Sequence, residues 1–184
     1  MPRLMLVDDE VNILSSLRRA LMAMPEGTFT APLAIETFSS PLMALARAKE
    51  AAFDLVISDY RMPEMDGVVF LEKLREIQPN IARMILSGYA DLKALIAAIN
   101  RAEIYRFIGK PWDDHDLALA ICQALEHRAL VIEIARLADL VRVQQGKLSR
   151  TELAVKRLEE RYPGITQVKR QPDGSIDLDW DEEL

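Results

Sequence analysis

Five short apolar runs, separated by helical periods, constrain this chain more than any other feature. The runs are Leu4–Val7, Leu33–Phe38, Leu55–Ser58, Met84–Leu86 and Ile104–Ile108. They are rich in Ile, Leu and Val and mostly do not alternate with polar residues, the pattern of strands buried on both faces. Between them, Leu14, Leu17 and Leu21 line one helix face, and Leu42, Leu45 and Ala46 a second. Phe70, Leu74 and Ile77 make a third, ended by Pro79; Leu92, Leu95, Ile96 and Ile99 make a fourth, with Asp91 as its N-cap. This alternation predicts a doubly wound α/β fold: a five-stranded parallel sheet with right-handed crossovers and helices on both faces.

Chemistry follows four of the runs. Asp8 and Asp9 come after the first, Asp59 after the third, Ser87 after the fourth and Lys110 after the fifth. Parallel strands would bring all five side chains to one sheet edge, where open α/β sheets bind ligands. An Asp-Asp pair also suits a helix N-cap. Close ionised carboxylates, however, repel by about 4 kcal/mol per pair at an effective dielectric near 20, a cost that a bound cation removes. Oxygen ligands point to Mg²⁺ rather than Zn²⁺. The hydroxyl and the ammonium can grip an oxyanion, so the set suits phosphoryl transfer to a carboxylate. His115 and His127 lie on the last helix and read as surface residues.

The 184 residues leave room for one ordinary domain and an appendage. A single cysteine, Cys122, excludes a disulfide framework. No uncharged apolar stretch has bilayer-spanning length, and the N-terminus is not a signal peptide, so a cytoplasmic chain without membrane contact is expected. A net charge of −6 argues against direct DNA binding.

Residues 1–125 take up the alternating units. The last helix begins near Asp113-Asp114 and meets no Pro before Pro163; Gly146 is its weak point, at a cost of about 1 kcal/mol against Ala. A 4-3 spacing runs through Leu130, Ile134, Leu137, Val141, Gln144, Leu148, Thr151, Val155, Leu158 and Tyr162. It predicts a coiled-coil extension over 126–162, pairing as a homodimer or a dimer of dimers along Leu130–Tyr162. The alternative is a helix folded back on its own domain. In a parallel pair, Lys147 at g would face Glu152 at e. The tail, 163–184, carries a Gln171-Pro172-Asp173-Gly174 turn signal and an acidic end, and reads either as a β-hairpin or as disordered.

The segment Val56-Ile57-Ser58-Asp59-Tyr60-Arg61-Met62-Pro63-Glu64-Met65-Asp66-Gly67 resembles the phosphoacceptor loop of two-component response-regulator receiver domains. Asp8-Asp9, Ser87-Gly88 and Phe107-Ile108-Gly109-Lys110-Pro111 resemble that family's other marks, over residues 1–125. The resemblance implies a flavodoxin-like sheet in the order 2-1-3-4-5. It implies Asp59 as phosphoacceptor from a sensor histidine kinase, assisted by Lys110 and Ser87. Mg²⁺ would be held by Asp9, Asp59 and the backbone carbonyl of Arg61, with Asp8 acting through water. Ser87 and Phe107 would form the switch, and Arg61 and Tyr89 would stand at the pocket mouth. A cis Lys110-Pro111 bond is also implied. Phe107 departs from the commoner Tyr. The resulting expectation is a response regulator in a phosphorelay whose only chemistry is phosphotransfer and dephosphorylation at Asp59, and whose output is contact with a downstream protein.

Two other functions use similar parts. A Mg²⁺-dependent phosphohydrolase of haloacid dehalogenase type also uses an Asp nucleophile, but needs Asp-x-Asp after its first strand; here the acids are adjacent, and the nucleophile reads Asp59-Tyr60-Arg61. A non-signalling dimerisation module is the third; loss of Asp59 or Lys110 would mark it, and both are present.

Overall fold

In the computed structural model, residues 1–88, 102–146, 148–163 and 165 are described. The strands are β1 (Arg3–Val7), β2 (Ala34–Phe38), β3 (Leu55–Asp59), β4 (Ala82–Ser87) and β5 (Arg106–Gly109). They form one parallel sheet in the order β2-β1-β3-β4-β5. The expected fold class and strand order are observed. The helices are α1 (Val11–Met22), α2 (Pro41–Glu50), α3 (Gly67–Ile77), α4 (Asp114–Gln144) and α5 (Arg150–Arg161). The predicted helix through Leu92–Ile99, its Asp91 cap, Tyr89, Lys147 and the turn at 171–174 lie outside the described residues.

Why the strands lack alternation is now visible. Successive side chains point to opposite faces, and both faces are covered. Met5, Val7, Val56 and Ile85 pack toward α2 and α3. Leu4, Leu6, Leu55, Ile57, Met84 and Leu86 pack toward α1 and α4, meeting Leu14, Leu17, Leu117 and Ile121. Each such fully buried Leu or Ile contributes about 1.5–3 kcal/mol. Gln78 closes the N-terminal edge of this core. Its amide donates to the carbonyls of Ala48 and Ala51 and accepts from the Phe53 amide.

Two expectations are corrected. On α2 the buried residues are Pro41, Ala44 and Ala48, while Leu42 and Ala46 are exposed. Small side chains let that helix approach closely, which apolar size alone does not reveal. The second correction is larger. The single helix expected from Asp113 to Pro163, carrying one seam over Leu130–Tyr162, is two helices. α4 stops at Gln144, and Gly146 takes φ +68, the left-handed conformation that glycine adopts at little cost. Ser149 then starts α5 with a capping box: its hydroxyl accepts from the Glu152 amide at 3.1 Å, and the Glu152 carboxylate accepts from the Ser149 amide at 2.7 Å. Glu152 is therefore engaged within its own helix. α5 folds back on α4, where Lys156 pairs with buried Asp139 at 2.5 Å and Leu153 is buried.

Among the described residues, no helix is long and apolar enough to cross a membrane.

Candidate functional site

Parallel strands deliver their last residues to one edge, and the site is built from those ends. Asp8 follows β1, Asp59 ends β3, Ser87 ends β4 and Lys110 follows β5. The ladder continues one step past β5, where the Lys110 amide donates to the Ser87 carbonyl at 2.8 Å. Ser87 also stands opposite Gly109 in register. The Lys110–Pro111 peptide is cis, as the resemblance implies.

Lys110 draws the edge together. Its ammonium donates to Asp8 Oδ2 at 2.8 Å and pairs with Asp59 Oδ1. Asp8 and Asp59 are both buried, with Asp8 only 2% exposed. The other oxygen of each carboxylate accepts a main-chain amide: Asp8 from Glu10 at 2.9 Å, Asp59 from Arg61 at 2.6 Å. Burial pushes the Asp8 carboxyl above the usual carboxylate range, although Lys110 and the Glu10 amide pull it down. Burial also works against the Lys110 charge, but the Asp59 and Asp8 carboxylates outweigh it and hold this ammonium above the ordinary lysine value.

The remaining residues named from the sequence fall around this trio. Asp9 is exposed beside Asp8. Ser87 is buried, its hydroxyl donating to the Gly88 carbonyl at 3.2 Å. Phe107, opposite Ile85 on β5, is half-buried against the α2–α3 side of the core. Arg61 is exposed. His115, in the first turn of α4, and His127, midway along it, are exposed; the His127 ring lies 5.1 Å from Tyr105.

Two residues of the Asp59 loop matter more than the sequence suggested. Asp66 caps α3 by accepting the amides of Val68 and Val69 at 3.0 and 2.9 Å. Gly67 closes the loop, its amide donating to the Tyr60 carbonyl at 2.8 Å. A Cβ on Gly67 would stand 2.1 Å from the Asp59 carbonyl oxygen. The Asp66-Gly67 pair is the signal in the sequence, but the close approach is a tertiary fact.

Can this edge hold a metal? Among the described residues, no three His, Cys, Asp or Glu side chains form a metal-binding group. Mg²⁺ does not need one: it usually keeps several waters and takes one or two carboxylates. Asp9, Asp59 and a main-chain carbonyl are hard oxygen donors, and the three acids here outnumber the one lysine. The donor set fits Mg²⁺.

The family profile of the response regulator receiver domain matches residues 4–122. The chain belongs to the response regulator receiver family. This membership decides against the haloacid dehalogenase alternative. Among relatives, the hydrogenase transcriptional regulatory protein HoxA of Cupriavidus necator is 35% identical over 133 residues, covering 72% of this chain and 26% of that one. HoxA of Bradyrhizobium diazoefficiens is 31% identical, covering 84% and 30%. The chain thus spans under a third of the length of these two relatives. Among solved structures, the signal receiver domain of an HD domain-containing protein from Pseudomonas fluorescens is 37% identical, covering 72% of this chain and 92% of that one, with a TM-score of 0.64. A CheY-like response regulator receiver domain protein from Methanospirillum hungatei is 27% identical, covering 70% and 97%, with a TM-score of 0.62. The family profile ends at residue 122, and α5 lies beyond it.

Proposed function

We propose that this receiver accepts a phosphoryl group on Asp59 from a phosphohistidine of a sensor histidine kinase. A carboxylate oxygen of Asp59 attacks phosphorus in line, the P–N bond breaks, and the imidazole leaves with its electron pair. The product is an acyl phosphate. The observation that carries this reading is Lys110, whose one ammonium reaches both Asp8 and Asp59 at the strand ends. On phosphorylation Lys110 turns from Asp59 to a phosphoryl oxygen, acting as a point charge. The Ser87 hydroxyl supplies a second hydrogen bond. Asp9, Asp59 and the Arg61 carbonyl would hold Mg²⁺, with Asp8 acting through water, and the ion would neutralise charge on the transferring group. Arg61 and Tyr89 are assigned to the pocket mouth.

Ser87 and Phe107 carry the change outward. Their strands are hydrogen-bonded neighbours, so a shift of Ser87 toward the phosphoryl group loads β5, where Phe107 is half-buried against the core and would turn inward. Only a state with different contacts to the phosphoryl group can be favoured by it. The receiver occupies 1–125, the helical extension 126–162 and the tail 163–184. Output passes by protein contact to a second copy of the chain and to a downstream effector. Direct DNA binding is not part of this reading, and the chain works in the cytoplasm.

Incubation with acetyl phosphate or phosphoramidate and Mg²⁺ tests the reading: the chain should gain one phosphoryl group, and EDTA should prevent it. Full labelling in EDTA would overturn the role given to the cation. Lys110→Ala should still be labelled, though more slowly. It should, however, lose the phosphorylation-dependent change in hydrogen exchange of β4 and β5. If that change persists, Lys110 does not couple the group to the switch.

A further inference from the structure

The 4-3 repeat keeps its phase across a break where no helix runs. Leu130, Ile134, Leu137 and Val141 precede the break, and Leu148, Thr151, Val155, Leu158 and Tyr162 come after it at the spacing of one uninterrupted helix. In the hairpin this continuity serves nothing. Asp139, which faces α5, is two residues from both Leu137 and Val141, so it stands about 200° round the helix from each. Leu153 and Lys156, which face α4, stand about 200° from Val155 and Leu158 respectively. The two halves of the seam therefore point away from each other. Both are in solvent: Leu130, Ile134, Leu137 and Val141 are 64%, 66%, 53% and 48% exposed, and Val155 and Leu158 are 45% and 48%. An open cavity of about 540 Å³ runs along the hairpin, lined by Asn80 and Arg128 as well as Ile132, Arg136, Leu153 and Arg157.

We propose that the hairpin is the closed form of a two-state device. In the open form, α4 and α5 join as one helix, and its aligned seam pairs in parallel with a second copy of this chain. This deepens the self-association named above, and does not depend on Asp59 being the phosphoacceptor. Charge supports the occupant. In a parallel pair the g-to-e′ partners are Glu133–Ala138, Leu140–Gln145, Lys147–Glu152 and Ala154–Glu159. One of these attracts and none repels. Opening also leaves few groups without partners. Glu152 exchanges the Ser149 cap for Lys147 of the second copy, and Asp139 keeps its 3.0 Å pair with Arg142, one turn away on the same helix.

Ser149→Ala removes the cap only from the closed form. Loss of an N-cap shifts each chain toward opening about fivefold, so the dimer dissociation constant should fall by up to about 25-fold. Lys156→Gln, which cuts the ion pair to Asp139, should shift it the same way. Ile134→Glu should keep the chain monomeric. Light scattering reads the mass. Spin labels on Arg136→Cys and Arg157→Cys, in a Cys122→Ser background and diluted with unlabelled chain, read the shape. The two positions wall one cavity in the hairpin, but stand about 30 Å apart along a continuous helix. The expected result is a short distance in monomers and the long one in dimers. Dimers that keep the short distance overturn the opening while leaving self-association intact. Absence of dimers from both Ser149→Ala and Lys156→Gln at every concentration overturns both.

Discussion

Replacing Asp59 with Asn will abolish phosphoryl labelling and, in metal-free buffer, raise the unfolding temperature. The first effect follows from the nucleophile role proposed for Asp59. The second stems from the charge arrangement. Asp8 and Asp59 are both buried and share one ammonium. Neutralising Asp59 leaves a one-to-one pair of Asp8 with Lys110 and relieves carboxylate repulsion. The Asn side-chain oxygen can still accept the Arg61 amide that Asp59 accepts now. A gain of about 1–2 kcal/mol is expected, or roughly 2–8 °C for a chain of this size. Added Mg²⁺ should raise the parent by mass action, leave the variant unmoved and close the gap. A calorimetric scan with and without the ion measures this. A variant that unfolds earlier than its parent in EDTA would mean that Lys110 needs both acids, and that the pocket is not held at a cost to stability. Persistent labelling would place the acceptor elsewhere.

Gly67→Ala will damage both fold and phosphoryl uptake, although it adds only one methyl group. The new carbon would meet the Asp59 carbonyl oxygen at 2.1 Å, with the Asp59 carbonyl carbon and Tyr60 Cα at 3.0 and 3.1 Å. These are main-chain atoms, so no rotamer change relieves the clash. Either α3 backs away from β3, breaking the bond from the Gly67 amide to Tyr60, or the end of β3 shifts. Overpacking of this kind costs about 1–3 kcal/mol. Displacing a reacting group by about 1 Å lowers rates on the order of a hundredfold. Gly109→Ala is the control for stability, because a Cβ there meets nothing within 4 Å. If denaturant midpoints for the two variants coincide, the close approach at Gly67 carries no weight.

The sheet and its functional edge are legible in the sequence for one physical reason. A parallel sheet covered on both faces leaves few polar positions inside its strands, with buried Ser58 and Arg83 as exceptions here. Most of the apolar runs therefore end abruptly, and the charged or hydroxyl residue just past the run lies at the edge. Exposure along that edge is not legible: Asp8 is buried and Asp9 exposed, although a sequence presents them as equals. Nor does a sequence show that Lys110 lies between two acids. On α2, counting large apolar residues favours Leu42, whereas the packing favours Ala44 and Ala48. The break before α5 does have a signal, Ser149-Arg150-Thr151-Glu152, a capping box. An apolar repeat passing through it in phase conceals it, because periodicity measures what a helix could bury and not whether the chain turns first.

Arg128 sets where motion of the extension can begin. Its guanidinium pairs with Asp54 at 2.7 Å and donates to the Asn80 carbonyl at 2.8 Å. Asp54 in turn accepts the Arg3 amide at 2.7 Å. The middle of α4 is thus bolted to the starts of β1, β3 and β4 at the end of the sheet opposite Asp59. Up to residue 128 the helix travels with the sheet as a single piece, and articulation belongs beyond it. A shortened chain ending at His127 forfeits the bolt, whereas one ending at Ala129 retains it. The mechanical border of the receiver therefore lies a full helical turn past the point where its strand-and-helix alternation ends.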